Sequence, residues 1–226
     1  MRHIVFDTET TGFTPASGHR LIEIAAIELI DMEKTGEKFH VYVNPEMKVP
    51  EDAVKVHGIT TEFLADKPKF AEIHRQFVDF VGDAALVAHN ISFDMSFINF
   101  ELGKLQIAPL TNQRIDTMAL AKRRFPGAKA NLDNVCRLLG IDLSSRTKHG
   151  AMIDTELLVD VFLQLSPDAR PRQDLAGQLA QAPKTANPNS SFLLIRKPPE
   201  IVPARTVGAP DEEEEVKHSQ MFGFMR

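Results

Sequence analysis

Cysteine is nearly missing from this chain: Cys136 is alone among 226 residues. One thiol cannot close an internal disulfide or build a cysteine-rich zinc site. Long apolar runs are missing too, since none reaches the roughly 18 residues that a membrane helix needs. The N-terminal apolar run already contains Asp7 and Glu9, so it does not read as a signal peptide. These absences predict a cytoplasmic protein of a reducing compartment, with no membrane partner. Positive charge is also in deficit overall, at a formal net of -5. Its distribution is uneven. Eight Lys/Arg (Arg114, Lys122, Arg123, Arg124, Lys129, Arg137, Arg146, Lys148) stand against three acids (Asp116, Asp133, Asp142) between residues 114 and 148. That surplus reads equally as a phosphate-facing patch or as a solvated helical face.

What is present suffices for a core, with 43% apolar residues. Residues 2–8 read as a buried strand, 20–31 as a second and 38–45 as a third, an antiparallel meander at one side of a sheet. Helical spacing marks 70–82, which ends at a glycine, and 92–105, where Ser92 reads as the cap. Residues 85–90 form a short buried strand. Further helices are expected near 116–124, 131–139 (with Asn131 as cap) and 150–165. Strands followed by alternating strands and helices predict an α/β domain with a mixed sheet. Cys136, among apolar neighbours, reads as core. Eight of the fourteen prolines lie between Ser166 and Pro210, so the chain divides into a domain over 1–166 and an extended tail over 167–226.

Two acids disturb the first strand. Asp7 and Glu9 are two apart, so their side chains leave the same face. Acids are depleted in strands and seldom buried without partners. Asp94 falls in the first turn of the next helix, where the helix dipole favours a negative charge whether or not it does chemistry. His149 lies just before the last helix and Asp154 one turn inside it. Seen alone, His149 is a capping-region histidine. His89 and Asn90 serve equally as loop residues that bond backbone.

Taken in order, "FDTETTG", "VHGI", "AHNISFD" and "HGAMIDTELL" resemble the motifs of the DEDDh 3′–5′ exonuclease family. The likeness is closest to the proofreading branch that serves bacterial replicative DNA polymerases, and it covers roughly residues 2–165. Tyr42 is the only tyrosine and lies in an early strand, which disfavours the sister family with a catalytic tyrosine. The resemblance implies a ribonuclease H-like fold: a mixed β-sheet flanked by helices, with a flexible C-terminal tail. It implies two divalent ions, Mg²⁺ or Mn²⁺, held by Asp7, Glu9, Asp94 and Asp154, with His149 as general base. The residue types fit: four acids without thiolates suit hard cations, and imidazole exchanges a proton near neutral pH. Such a site suits phosphodiester hydrolysis by water.

For substrate, the resemblance implies contacts from Thr10, Thr11, Gly12 and His57 to the terminal nucleotide. Asn90 would bond substrate or orient the site, and Phe93 would stack on a base, although phenylalanine at helical spacing is more often core. Arg123, Arg124 and Lys148 would steer phosphates. The expected partners are a single-stranded or frayed DNA 3′ end and a polymerase catalytic (alpha) subunit reached through the tail. A sliding clamp is a further candidate, through 172–179 (Gln173, Leu175) or 220–224. The alternative is a stand-alone DEDDh nuclease acting on RNA ends or short oligonucleotides.

Overall fold

Period-2 and period-3.6 segments alternate along the chain. The computed structural model, which describes residues 1–144 and 149–167, gathers them into one five-stranded sheet with helices on both faces. β1 (Arg2–Thr10), β2 (Leu21–Ile30) and β3 (Glu33–Tyr42) form the antiparallel meander. β4 (Ala85–Ala88) and β5 (Arg114–Asp116) extend it in parallel from the other side of β1. The strand order β3-β2-β1-β4-β5 makes β1 central. A central strand is covered on both faces, and Ile4, Val5 and Phe6 are all fully buried.

The helices are α1 (Glu51–His57), α2 (Thr61–Leu64), α3 (Phe70–Val81), α4 (Ile91–Lys104), α5 (Thr117–Arg124), α6 (Leu132–Leu139) and α7 (Ala151–Leu165). On one face, Ile4, Phe6 and Ile24 pack with Ile73 and Phe77 of α3 and Phe97 and Ile98 of α4. On the other, Val5, Ile27 and Val87 pack with Leu158 and Phe162 of α7 and Val135 and Cys136 of α6. Burying one side chain of this size contributes about 1.5–3 kcal/mol. Alternation along β1 therefore sends Asp7 and Glu9 toward the α7 face and Thr8 toward the α4 face.

The structure revises several expectations. The third strand runs over Glu33–Tyr42 rather than 38–45. Its first six residues are exposed and largely charged, as suits the edge of a sheet. β1 continues through Glu9 to Thr10. Ser92 does not cap α4: the helix starts at Ile91 and its N-cap is Asn90, in the left-handed region at φ 65°. Asparagine tolerates that conformation, and the Asn90 N–H is held by Asp116 Oδ1 at 2.9 Å. α1, α2 and β5 are short and lack a strong apolar period, so no sequence pattern announces them. Asn131 does cap α6, accepting the Asn134 N–H at 3.0 Å. Among the described residues, no helix is long and apolar enough to cross a membrane. The tail candidates and Lys148 lie outside the described residues.

Candidate active site

Two layers meet at the C-terminal end of β1. From the α7 layer, Glu9, His149 and Asp154 each bring a ligand atom within 4.8 Å of the others. His149 Nδ1 lies 3.2 Å from Asp154 Oδ2. The imidazole is 28% exposed and the Asp154 carboxylate 5%, so the pair has one wet and one dry member. Asp7 and Glu9 are both half-buried. Their neighbours in register on β2 are Ala25 and Glu23.

From the α4 layer comes Asp94, which is buried. Its Oδ1 accepts the Thr8 hydroxyl at 2.7 Å. Burial is the main cause that raises its pKa to about 7, with the Asp116 carboxylate adding to the rise and the Thr8 hydrogen bond opposing it. Asp94 thus approaches β1 from the face opposite Asp7 and Glu9, and is tied to the strand residue between them.

The β4–α4 junction that delivers Asp94 is braced by His89 and Asp116. Burial pushes the His89 pKa down, which favours the neutral ring. Nε2–H then donates to Ala130 O at 2.6 Å, and Nδ1 accepts from the Thr117 hydroxyl at 2.9 Å. Asp116 Oδ1 accepts from the Asn90 and Met118 amides together, both at 2.9 Å.

The residues expected to touch substrate hold varied positions. Thr10 donates its hydroxyl to Gly12 O at 2.6 Å. Thr11 Oγ1 accepts the Arg20 N–H at 2.9 Å, while the Thr11 N–H donates to Arg20 O at 2.8 Å. These bonds close the loop 11–20 upon itself. A Cβ on Gly12 would sit 2.4 Å from the His19 ring, so no side chain fits there without displacing it. His57 is buried at the end of α1, and its Nδ1 accepts the Ile59 N–H at 3.0 Å. Phe93 is half-buried with its ring 5.2 Å from that of Phe97. Arg123 and Arg124 are exposed at the end of α5.

Sequence reasoning missed five supporting residues. Thr8 and Asp116 are described above. Arg20 and Glu101 form a two-pronged ion pair at 2.6 and 2.8 Å, and Arg20 also donates to Pro45 O. This pair fastens the loop after β1 to α4. Its members are 81 positions apart, so no local pattern could have announced it. Glu23 on β2 is buried and accepts the Ala151 N–H at 3.1 Å. It had a signal, an acid inside the apolar "LIEIAA", the same anomaly that marks Asp7.

The model of the exonuclease family matches this chain over residues 4–162. DNA polymerase III subunit epsilon of Rickettsia felis is 45% identical over 170 residues, covering 74% of each chain. The same subunit of Rickettsia prowazekii is 41% identical over 206 residues, 89% of this chain and 81% of that one. That of Pasteurella multocida is 45% identical over 172 residues, 73% and 68% of the two chains. Among solved structures, exonuclease X in complex with 5′ overhanging duplex DNA is 25% identical. It superposes with a TM-score of 0.54 and covers 72% of this chain and 92% of its own. Escherichia coli exonuclease I bound to single-stranded DNA, in a zinc-bound form, is 22% identical with a TM-score of 0.64. It covers 76% of this chain and 41% of its own, a likeness of fold.

Proposed function

From the premise that this chain belongs to the exonuclease family, we propose that it removes mispaired nucleotides from DNA 3′ ends as the proofreading subunit of a bacterial replicative polymerase. The chain is a 3′–5′ exonuclease with a ribonuclease H-like fold. The observation that carries the catalytic reading is the convergence of Glu9, His149 and Asp154 within 4.8 Å at the strand end that also bears Asp7. The names of the relatives favour DNA proofreading over a stand-alone RNA nuclease.

The family uses divalent metals, and the donor set fits hard cations. Its acids offer carboxylate oxygens, and burial raises the pKa of Asp94, so a nearby cation would favour its ionised form. Asp7, Glu9, Asp94 and Asp154 would hold the ions. When bound, two Mg²⁺ or Mn²⁺ ions would offset the negative charge that builds up as water attacks phosphorus and the P–O3′ bond to the upstream nucleotide breaks. The chain's own residues do the rest. With Nδ1–H donated to Asp154, His149 presents Nε2 as the atom that takes a proton from the attacking water. Asp154 holds the ring in orientation and steadies the imidazolium that forms. The closed loop 11–20 and Gly12 give the 3′ end a firm edge, with Thr10, Thr11, His57, Asn90 and Phe93 as the surrounding contacts. Arg123 and Arg124 draw the upstream phosphates.

The tail would tether the domain to the polymerase catalytic subunit, with 172–179 and 220–224 as candidate clamp-binding segments. A chain ending at residue 168 should digest a 3′-labelled oligonucleotide at the full-length rate and no longer copurify with the polymerase. Retained tight binding removes the tether. Digestion of mismatched DNA ends no faster than short RNA would overturn proofreading in favour of the RNA reading.

A further inference from the structure

Glu23 is a buried acid for which the proposed hydrolysis has no use. It lies on β2 at 2% exposure, in a cross-strand row with Glu9 on one side and Tyr42 on the other. Its Oε1 is 2.7 Å from His40 Nε2, and its Oε2 accepts the Ala151 N–H at 3.1 Å. Ala151 is the first residue of α7, and its N–H is one of those that a helix cannot satisfy internally. The cap position is Gly150, which has no side chain to accept it. A carboxylate from a distant strand does the capping instead, where the helix dipole also favours negative charge.

The placement fixes more than a helix end. His149 stands two residues before Ala151, and Asp154 three after it. Both lie within a turn of the contact between α7 and β2, and the strand residue beside that contact is Glu9. A buried carboxylate costs several kcal/mol unless its partners are well placed, and an apolar residue would pack a strand interior at lower cost. Tyr42 registers the same charge: burial first, then Glu23 and Glu9, hold its phenol above the ordinary range.

We propose that Glu23 is a positioning residue for the hydrolysis. It touches neither substrate nor reacting atoms, and sets where His149 and Asp154 stand relative to Glu9. The inference rests on the assignment of those three residues made above.

The full-length chain tests it with a single-stranded oligonucleotide and Mn²⁺. Glu23→Ala should lower kcat roughly 10- to 100-fold and raise the Mn²⁺ activation midpoint, while KM stays within about threefold. Glu23→Gln keeps an amide oxygen for the Ala151 N–H and a polar group of the same length beside the His40 ring, so it should restore kcat to within about fivefold of the parent. An unchanged kcat and Mn²⁺ midpoint in Glu23→Ala overturn the proposal. So does a Glu23→Gln as slow as Glu23→Ala, since charge and not the cap would then matter. Should Glu23→Ala not fold by circular dichroism, Glu23→Asp withdraws the carboxylate by one methylene and must show the same selective loss; full kcat there overturns the proposal. Glu9→Ala is run alongside. If it digests like the parent, the site assignment falls and Glu23 with it. If it is dead while Glu23→Ala runs at full speed, only the Glu23 inference falls.

Discussion

The two layers that meet at β1 treat their carboxylates in opposite ways. On the α7 side, Glu9 and Asp7 are half-buried, and Asp154 leans on an imidazole that water can reach. On the α4 side, Asp94 is buried against Thr8 and its pKa rises to about 7. The first arrangement keeps a carboxylate within reach of both an imidazole and water. The second favours the protonated carboxyl over the ionised one. Like residue types thus acquire unlike roles from their surroundings, a difference that ligand counting alone would not reveal.

The sharpest way to break this comparison is on the α7 side. His149→Ala should lower the Mn²⁺-dependent rate roughly 100- to 10,000-fold while the circular dichroism spectrum is kept. Asp7→Ala should be at least as damaging. Near-parental digestion by either would remove the α7 layer as the seat of proton transfer.

On the α4 side, Asp94→Asn should also abolish most activity, yet affect stability with the opposite sign. Folding favours the protonated carboxyl, because its folded pKa of about 7 lies above the ordinary 3.8. That stability is fully present at acid pH and is lost as pH rises from about 4 to about 7. Without metal, Asp94→Asn should therefore melt above the parent at pH 8 and level with it at pH 4. Mn²⁺ should raise the parent's melting temperature more at pH 8 than at pH 5. A metal-free parent equally stable across that range would erase the distinction between the layers.

Thr8→Val keeps the shape and deletes the hydroxyl that donates to Asp94. The rate should fall roughly 10-fold, with the acid limb of the pH–rate profile moved upward. The smallest effect on chemistry is expected at the brace between the layers. Glu101→Ala leaves Arg20 without its buried partner, and chemical denaturation should show a loss of about 3–5 kcal/mol. At temperatures where this variant stays folded, its kcat should be near the parent's.

Much of this arrangement was legible in the residues. Asp7 and Glu9 stood out because acids interrupt an apolar strand. Asp94, His149 and Asp154 did not, since helix ends attract such residues for ordinary reasons; the resemblance singled them out. The meander and the long helices followed from period and punctuation. The first half of β3 was hidden because an edge strand need not alternate. Ser92 misled because a good capping residue lay two positions beyond the true boundary, where backbone geometry and Asp116 decided the start. Arg20–Glu101 and Glu23–Ala151 join residues 81 and 128 positions apart, and only the folded chain brings them together.

The central place of β1 has a consequence for how the molecule comes to life. β1 can pair with β2 through a short connection, whereas its parallel partner β4 lies some eighty residues further on. Long loops close slowly, so pairing of this kind is expected late in folding. Asp94 is delivered only when β4 has docked, and Asp154 only when α7 has covered the other face. Hydrolytic competence should then be the last property the refolding chain gains, after its secondary structure and most of its compactness. A half-made copy, on the ribosome or after thermal damage, would be harmless to the DNA around it.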